Sequence, residues 1–200
     1  MRLYSIIISI SAILIATFNA VFGSAVFGYD AMYSVLATVF GALAVVSIDI
    51  IVAYIVKTLP KKWFTQDKKI FAMSKGERRF FEKIGIRRWK DRVPDMGVLG
   101  GAVHKRRMSS LSDNAYVSMF LSEAAYGQTI HLAAAVIGFA LVPLYPLRFW
   151  YCFGLPIAVV NCVLNCMSMF VLRYNFGRLK TLYMYNERKR QRANRVKEPV

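Results

Sequence analysis

The amino-acid sequence predicts an all-α integral membrane protein: four transmembrane helices with a basic cytoplasmic loop containing interfacial helices. Three observations carry that prediction. Apolar residues make up 56% of the 200 positions, yet they are gathered into four stretches and not spread as a soluble core requires. Each stretch reaches the roughly 20 residues a helix needs to cross the hydrocarbon core of a bilayer. Lys and Arg crowd between and after these stretches, almost never inside them.

The first span covers about residues 3–25, because Leu3 to Tyr29 contains no Asp, Glu, Lys or Arg. Arg2 before an apolar run, with Gly23, Ser24 and Ala25 behind it, also has the form of a signal peptide with a small-residue cleavage site. The run is longer than a usual signal core and a second span follows almost at once, so a retained helix is expected. The second span, about 31–56, holds one charged residue, Asp49. The third and fourth, about 124–147 and 149–172, hold none, although His131 lies in the third. Neither an internal repeat nor a separate soluble domain is visible, so 1–200 reads as a single membrane domain.

Orientation follows from the cations. The loop 57–112 holds 16 Lys and Arg against 5 Asp and Glu, and the tail 173–200 holds 9 against 2. Such segments resist translocation, which predicts a multi-pass membrane protein with both termini cytoplasmic. The net charge of +16 then reads as a topology signal and as attraction to anionic lipid headgroups. Nucleic acid is not an expected partner: the cations flank membrane spans, and no nucleic-acid-binding signature is present. Cys152, Cys162 and Cys166 all lie in the last span. An odd number inside a membrane argues against a disulfide framework, and with no His or carboxylate in that span they read as packing residues and not a metal site.

The central loop carries structure of its own. Ser74, Lys75, Gly76 and Glu77 fit a capping box, in which Ser and Glu satisfy each other's backbone donors at a helix start. Phe80, Phe81 and Ile84 then share one face, and Gly85 ends the helix. Such a segment is expected in the interface, its apolar face in the acyl region. Gly97, Gly100 and Gly101 mark a turn-rich passage before His104. A further helix is expected to begin near Asp113 and run without a break signal to Pro143. Beyond the fourth span, Leu179, Leu182 and Tyr183 again fall on one helical face.

Ionisable groups in or beside a span are expensive and so are functional candidates. Asp49 has no evident partner in the sequence. Glu123 and His131 sit eight residues apart on one expected helix, a rise of about 12 Å, which is too far for a direct hydrogen bond. Gln128 and His131, three apart, can meet. His131 is suited to accept and return a proton near neutral pH, while a purely structural bond to Gln128 or to a neighbouring helix fits the spacing slightly better. His104, amid Lys and Arg, reads as a headgroup contact. A His-x4-Asp acyltransferase pattern, a Gly-x-Ser-x-Gly elbow, a Walker loop, a dinucleotide fingerprint and a zincin motif are all absent.

The stretch "IRRWKDRVPD" from Ile86 to Asp95, the Glu123 and His131 pair, and "RYNFGRL" from Arg173 to Leu179 resemble, in order and spacing, the glycosyl-4,4′-diaponeurosporenoate acyltransferase family, small bacterial membrane proteins. The resemblance runs from about Phe81 to Lys180. It matches Arg88, Trp89, Lys90 and Asp95 in the loop, then Lys105 and Arg106, then Glu123 and His131, then Asn165, and finally Arg173, Tyr174, Asn175, Arg178 and Leu179. The chain departs from the family pattern at Tyr126 and Gln128, where members commonly carry Arg and Glu. It also departs at Leu132, where Trp is usual, and after Asn175, where Phe176 and Gly177 stand.

The resemblance implies transfer of a fatty acyl group to a hydroxyl of a glycolipid or other lipid-linked acceptor at the cytoplasmic face. His131 would take the hydroxyl proton, with Glu123 or Asp95 orienting it or holding the acceptor. Asn175, Arg173 or Arg178 would donate to the acyl oxygen, and Lys90, Lys105 and Arg106 would hold the phosphates of acyl-CoA or another donor. Trp89, Gln128 and Asn165 complete the expected substrate contacts. No bound cofactor and no metal are expected. Two other classes remain open: a non-catalytic scaffold or lipid-binding partner, and a small membrane methyltransferase or reductase. A membrane-protein partner or a second copy of the chain also stays open.

Overall fold

The computed structural model describes residues 2–28, 30–93 and 112–197, and among these every regular element is helical. Four segments are long and apolar enough to cross a membrane: Leu3–Gly23, Ala31–Thr58, Asn114–Leu144 and Leu147–Arg192. The chain divides into two compact units. One is drawn from Met1–Thr58, Arg92–Pro94 and Ile130–Ser168, the other from Leu59–Asp91, Asp95–Thr129 and Met169–Val200.

In the first unit, α1 (Arg2–Phe18) passes into a π-helical turn, Asn19–Gly23, and then α2 (Ser24–Phe27). The turn sits at a buried Asn19 whose Nδ2 donates to both Ile15 O and Cys152 O at 2.8 Å. A side chain bonding into its own helix is a recognised cause of such a bulge. The second span is α3 (Ala31–Thr58). Asp30 opens it by accepting from the Tyr33 N–H at 2.7 Å, which satisfies one of the donors a helix start leaves orphaned.

The third span departs from the unbroken helix expected up to Pro143. The α-geometry of α6 (Asn114–Ile137) stops at Ile137, and Gly138–Leu144 continues as a 3-10 helix. Pro143 lacks an N–H and its ring crowds the carbonyl a turn earlier, so the α-ladder cannot be carried through it. Tyr145 then turns inward. Its hydroxyl donates to Ala37 O at 2.5 Å, and it packs with Leu141, Phe149, Phe153 and Val45 in the core of this unit. Gly41 faces the Tyr145 hydroxyl, where any Cβ would collide. Ile13, Leu14, Leu43 and Ile50 are about two-thirds exposed, at 64–65%. An apolar surface of that kind suits lipid and not water.

In the second unit the chain between the second and third spans forms two 3-10 turns, Lys61–Trp63 and Lys69–Phe71, then α4 (Lys75–Lys83) and α5 (Ile86–Trp89). The capping box is present in full: Ser74 N–H donates to Glu77 Oε2 at 2.7 Å and Glu77 N–H donates to Ser74 Oγ at 3.1 Å. Gly85 sits at φ +66°, the left-handed conformation a helix stop favours in glycine. One face assignment is corrected. Phe81 is not free to enter lipid, because it is only 2% exposed and packs with Ile86, Tyr174 and Phe170; Phe80 stays exposed. The fourth span is carried by α7 (Leu155–Lys197), a single helix of 43 residues that runs on past Leu172, the expected end of the span, through the helical face expected at Leu179, Leu182 and Tyr183.

Candidate functional site

Asp49 lies within an apolar helix, where an unpartnered carboxylate is expensive. The first unit supplies two partners from α7. Asn161 Nδ2 donates to Asp49 Oδ1 at 3.2 Å, and Asn165 Nδ2 donates to Asp49 Oδ2 at 3.0 Å. The two asparagines lie four residues apart on one helical face, so one carboxylate can accept from both. Asn165 Nδ2 also faces Asn161 O at 3.1 Å and Asn161 Oδ1 at 3.0 Å.

Every group around Asn165 Nδ2 is an acceptor, so the amide has one consistent orientation. Its oxygen points to His131, 2.8 Å from Nδ1. An amide oxygen only accepts, which makes Nδ1 the donor and puts the proton of the neutral imidazole there. The lone pair then resides on Nε2. A histidine whose tautomer is set by an acceptor behind it is the arrangement from which a hydroxyl proton can be drawn. Asn161 and Asn165 are buried, at 7% and 6% exposure, while His131 is half-buried. Gly138 makes room for this network, because a Cβ there would strike Asn161 Nδ2.

The second unit holds a different polar centre, built on Arg173. Its Nε donates to Glu77 Oε1 at 2.6 Å, Nη1 to Ile70 O at 2.8 Å and Gln128 Oε1 at 3.2 Å, and Nη2 to Ala72 O at 3.3 Å. One guanidinium thereby ties the loop from Ile70 to Glu77 and the α6 side chain of Gln128 to α7. Burial of Glu77 works against its charge, but bonds from the Arg173 guanidinium and from Ser74 outweigh it and hold the carboxyl below its ordinary range. Gln128, which could have met His131 by spacing, accepts from Arg173 instead, and its Nε2 is buried without a partner. Tyr126 stacks on Phe64 with ring centroids 3.8 Å apart and donates to Leu59 O at 3.1 Å.

Beside the Arg173 clamp lies a cavity of about 580 Å³ lined by Arg78, Arg87, Lys90, Tyr174 and Arg178. Trp89 does not line it. Its indole N–H donates to Ile84 O at 3.2 Å, closing the end of α4, and its ring packs on the Phe81 cluster. Asn175 and Glu123 are half-buried on α7 and α6. Asp95, Lys105 and Arg106 lie outside the described residues, as does His104.

Of the residues singled out in the sequence, the first unit therefore joins His131 to Asn165, and the second joins Gln128 to Arg173 and places Lys90 with Arg178 on one cavity. The sequence marks neither Asn161 nor Arg87 as a site residue, and it marks Glu77 only as a helix cap. Asp49 is visible in the sequence without a partner, because its two amides come more than a hundred positions later.

A family model described as glycosyl-4,4′-diaponeurosporenoate acyltransferase matches residues 60–184. The chain belongs to this family. No curated protein and no solved structure matches it. The acyltransferase match takes in His131, Asn165, the Arg173 clamp and the cationic cavity, whereas Asp49 precedes it.

Proposed function

We propose that the chain is a membrane acyltransferase that moves a fatty acyl group onto a hydroxyl of a glycolipid or other lipid-linked acceptor. The observation that carries this reading is the 2.8 Å contact between Asn165 Oδ1 and His131 Nδ1, which leaves Nε2 as the basic nitrogen. His131 Nε2 takes the proton of the acceptor hydroxyl, and the oxygen attacks the acyl carbonyl. The tetrahedral intermediate collapses with cleavage of the bond to the donor's leaving group. For a thioester such as acyl-CoA, the departing thiolate takes the proton back from the imidazolium, so the base is regenerated. Asp49 and Asn165 act as positioning residues behind the imidazole.

The remaining roles follow the family resemblance. Glu123 and Asp95 hold the acceptor, Asn175 donates to the developing oxyanion, and Lys105 and Arg106 attract a phosphorylated donor. The four contacts already made by Arg173 suit it to holding the loop in place more than to serving substrate. The family description names a glycosylated carotenoid acid as acceptor; the class proposed for this chain is broader, any membrane-held sugar or lipid hydroxyl. The excess of Lys and Arg in 57–112 and 173–200 supports a cytoplasmic site with both termini on that side, and the family resemblance supports a bacterial cell membrane.

The test is acyl transfer by the purified protein from labelled acyl-CoA to extracted glycolipid. Transfer that is lost in a folded His131→Ala variant is the expected result. Undiminished turnover by that variant overturns the assigned base.

A further inference from the structure

The cavity in the second unit has no role in the proton chemistry above. Its walls come from Met73, α4, α5, the 3-10 turn Lys90–Arg92 and α7. Tyr174, Gly177, Arg178 and Thr181 fall at i, i+3, i+4 and i+7, one face of α7. Two of these four are small, which leaves the space open, and Met73 closes against Gly177, 3.1 Å from where a Cβ would stand.

Four cations border this space: Arg78, Arg87, Lys90 and Arg178. Their counter-charges do not match them. Glu82 Oε1 is shared between Arg78 Nε at 3.3 Å and Arg87 Nη2 at 3.4 Å. Lys90 reaches Asp91 at 3.2 Å, but the lysine side chain is only 19% exposed while the aspartate is 80% exposed. The lysine stem is largely covered by protein, while its ammonium meets a carboxylate that faces outward. Arg178 has no carboxylate partner among the described residues. A solvated basic collar explains exposed cations; it does not explain a tucked lysine or an arginine braced from behind. Arg87 is braced in that way, since its Nε donates to the hydroxyl of the buried Tyr174 at 3.0 Å; its Nη2 faces Glu82 at 3.4 Å, and Nη1 is the edge that turns to a further acceptor.

We infer that this cavity is a binding site for a phosphate group, held by Lys90, Arg87 and Arg178. Guanidinium forks match phosphate oxygens in geometry, and an ammonium adds a point charge. A volume of about 580 Å³ lies within the range of ligand sites and takes a phosphate with part of the group it is attached to. The shared chemistry is a phosphate ester, carried either by a soluble donor such as a coenzyme A thioester or by an anionic lipid headgroup. The inference stands apart from acyl transfer, because it concerns only what the cavity holds.

Binding to the purified full-length protein in nanodiscs decides it. Calorimetric titration with coenzyme A in phosphatidylcholine discs is one arm, and retention of labelled phosphatidylglycerol is the other. Lys90→Gln combined with Arg178→Gln is expected to weaken at least one ligand by about tenfold or more. Loss confined to coenzyme A identifies a soluble donor, and loss confined to phosphatidylglycerol identifies a headgroup. The charge-keeping Lys90→Arg variant should retain binding, and matched circular dichroism and thermal unfolding separate lost binding from lost fold. Unchanged affinity for both ligands in the double Gln variant, or no binding of either by the wild type, overturns the proposal. His131→Ala should bind both ligands as the wild type does, so a failure of the acyltransferase reading is distinguishable from a failure here.

Discussion

Asn165 holds its side-chain oxygen 2.8 Å from Nδ1 of His131, and the nitrogen of the same amide is bound by Asp49 at 3.0 Å. The carboxylate fixes which way the amide faces, and the amide fixes which imidazole nitrogen carries the proton. On this chain of contacts, His131→Ala should lower kcat by about 10²–10⁴, the usual share of general acid–base catalysis. Asn165→Ala and Asp49→Leu should each lower kcat while leaving KM for the acceptor nearly unchanged, because they act through the ring and not on substrate. Steady-state kinetics on the three variants check this. A rise in KM with kcat preserved would assign Asn165 to substrate contact instead.

Gly138 tests the same network without replacing any of its polar groups. A methyl at this position meets Asn161 Nδ2, the far end of a side chain, so the fold can adjust by displacing that amide. Displacement removes the 3.2 Å bond from Asn161 to Asp49. Gly138→Ala should therefore reduce kcat by more than it reduces stability, with thermal unfolding shifted by only a few degrees for a loss of about 1 kcal/mol. Turnover equal to wild type would show that Asn161 is dispensable to the ring's orientation.

These two centres show how much the sequence carries by itself. The capping box at Ser74 and Glu77 and the stop at Gly85 were readable because each depends on neighbours within four residues. The four spans were readable because composition alone defines them. What failed was partnership. Spacing let Gln128 and His131 meet each other, but each turns to α7, one to Arg173 and the other to Asn165. Phe81 looked like a lipid contact until Tyr174 and Phe170 supplied a protein surface for it. Asp49 was visible as an anomaly, and only the packed helices show why it is tolerated. Asn165 was singled out through family resemblance; nothing in its local sequence marks it.

Gln128 stands where the family resemblance implies Glu, and the structure gives a reason to expect that residue to be tolerated. Its oxygen accepts from Arg173 at 3.2 Å, while its buried Nε2 lacks an acceptor. An orphaned buried donor costs about 1–3 kcal/mol. Gln128→Glu removes that donor and turns the bond to Arg173 into a charge-assisted one. The added desolvation of a carboxylate beside an existing cation is smaller than for an isolated charge. Thermal unfolding in detergent at neutral pH should show the variant at least as stable as wild type. A clear drop would mean that Arg173 cannot serve Glu77 and a second carboxylate together.

Glu77 predicts how the second unit responds to acid. Its carboxylate accepts from Ser74 N–H through one oxygen and from Arg173 through the other. Although burial opposes its charge, these bonds hold its pKa below the ordinary 4.5. The unfolded chain therefore takes up this proton before the folded protein does as pH falls. The stabilisation is complete at neutral pH, declines once pH drops below about 4.5, and is gone when pH has passed the folded value. Glu77→Gln should lower the unfolding temperature at pH 7, since one amide cannot accept from both Ser74 and Arg173 through two oxygens. The gap between variant and wild type should close as pH falls through the carboxylate range. Ser74→Ala should cost about 1 kcal/mol through loss of the cap, with a gap that persists in acid for the part due to the serine hydroxyl. A Glu77→Gln gap that stays constant from neutral to acid pH would show that the carboxylate's charge contributes nothing to the clamp.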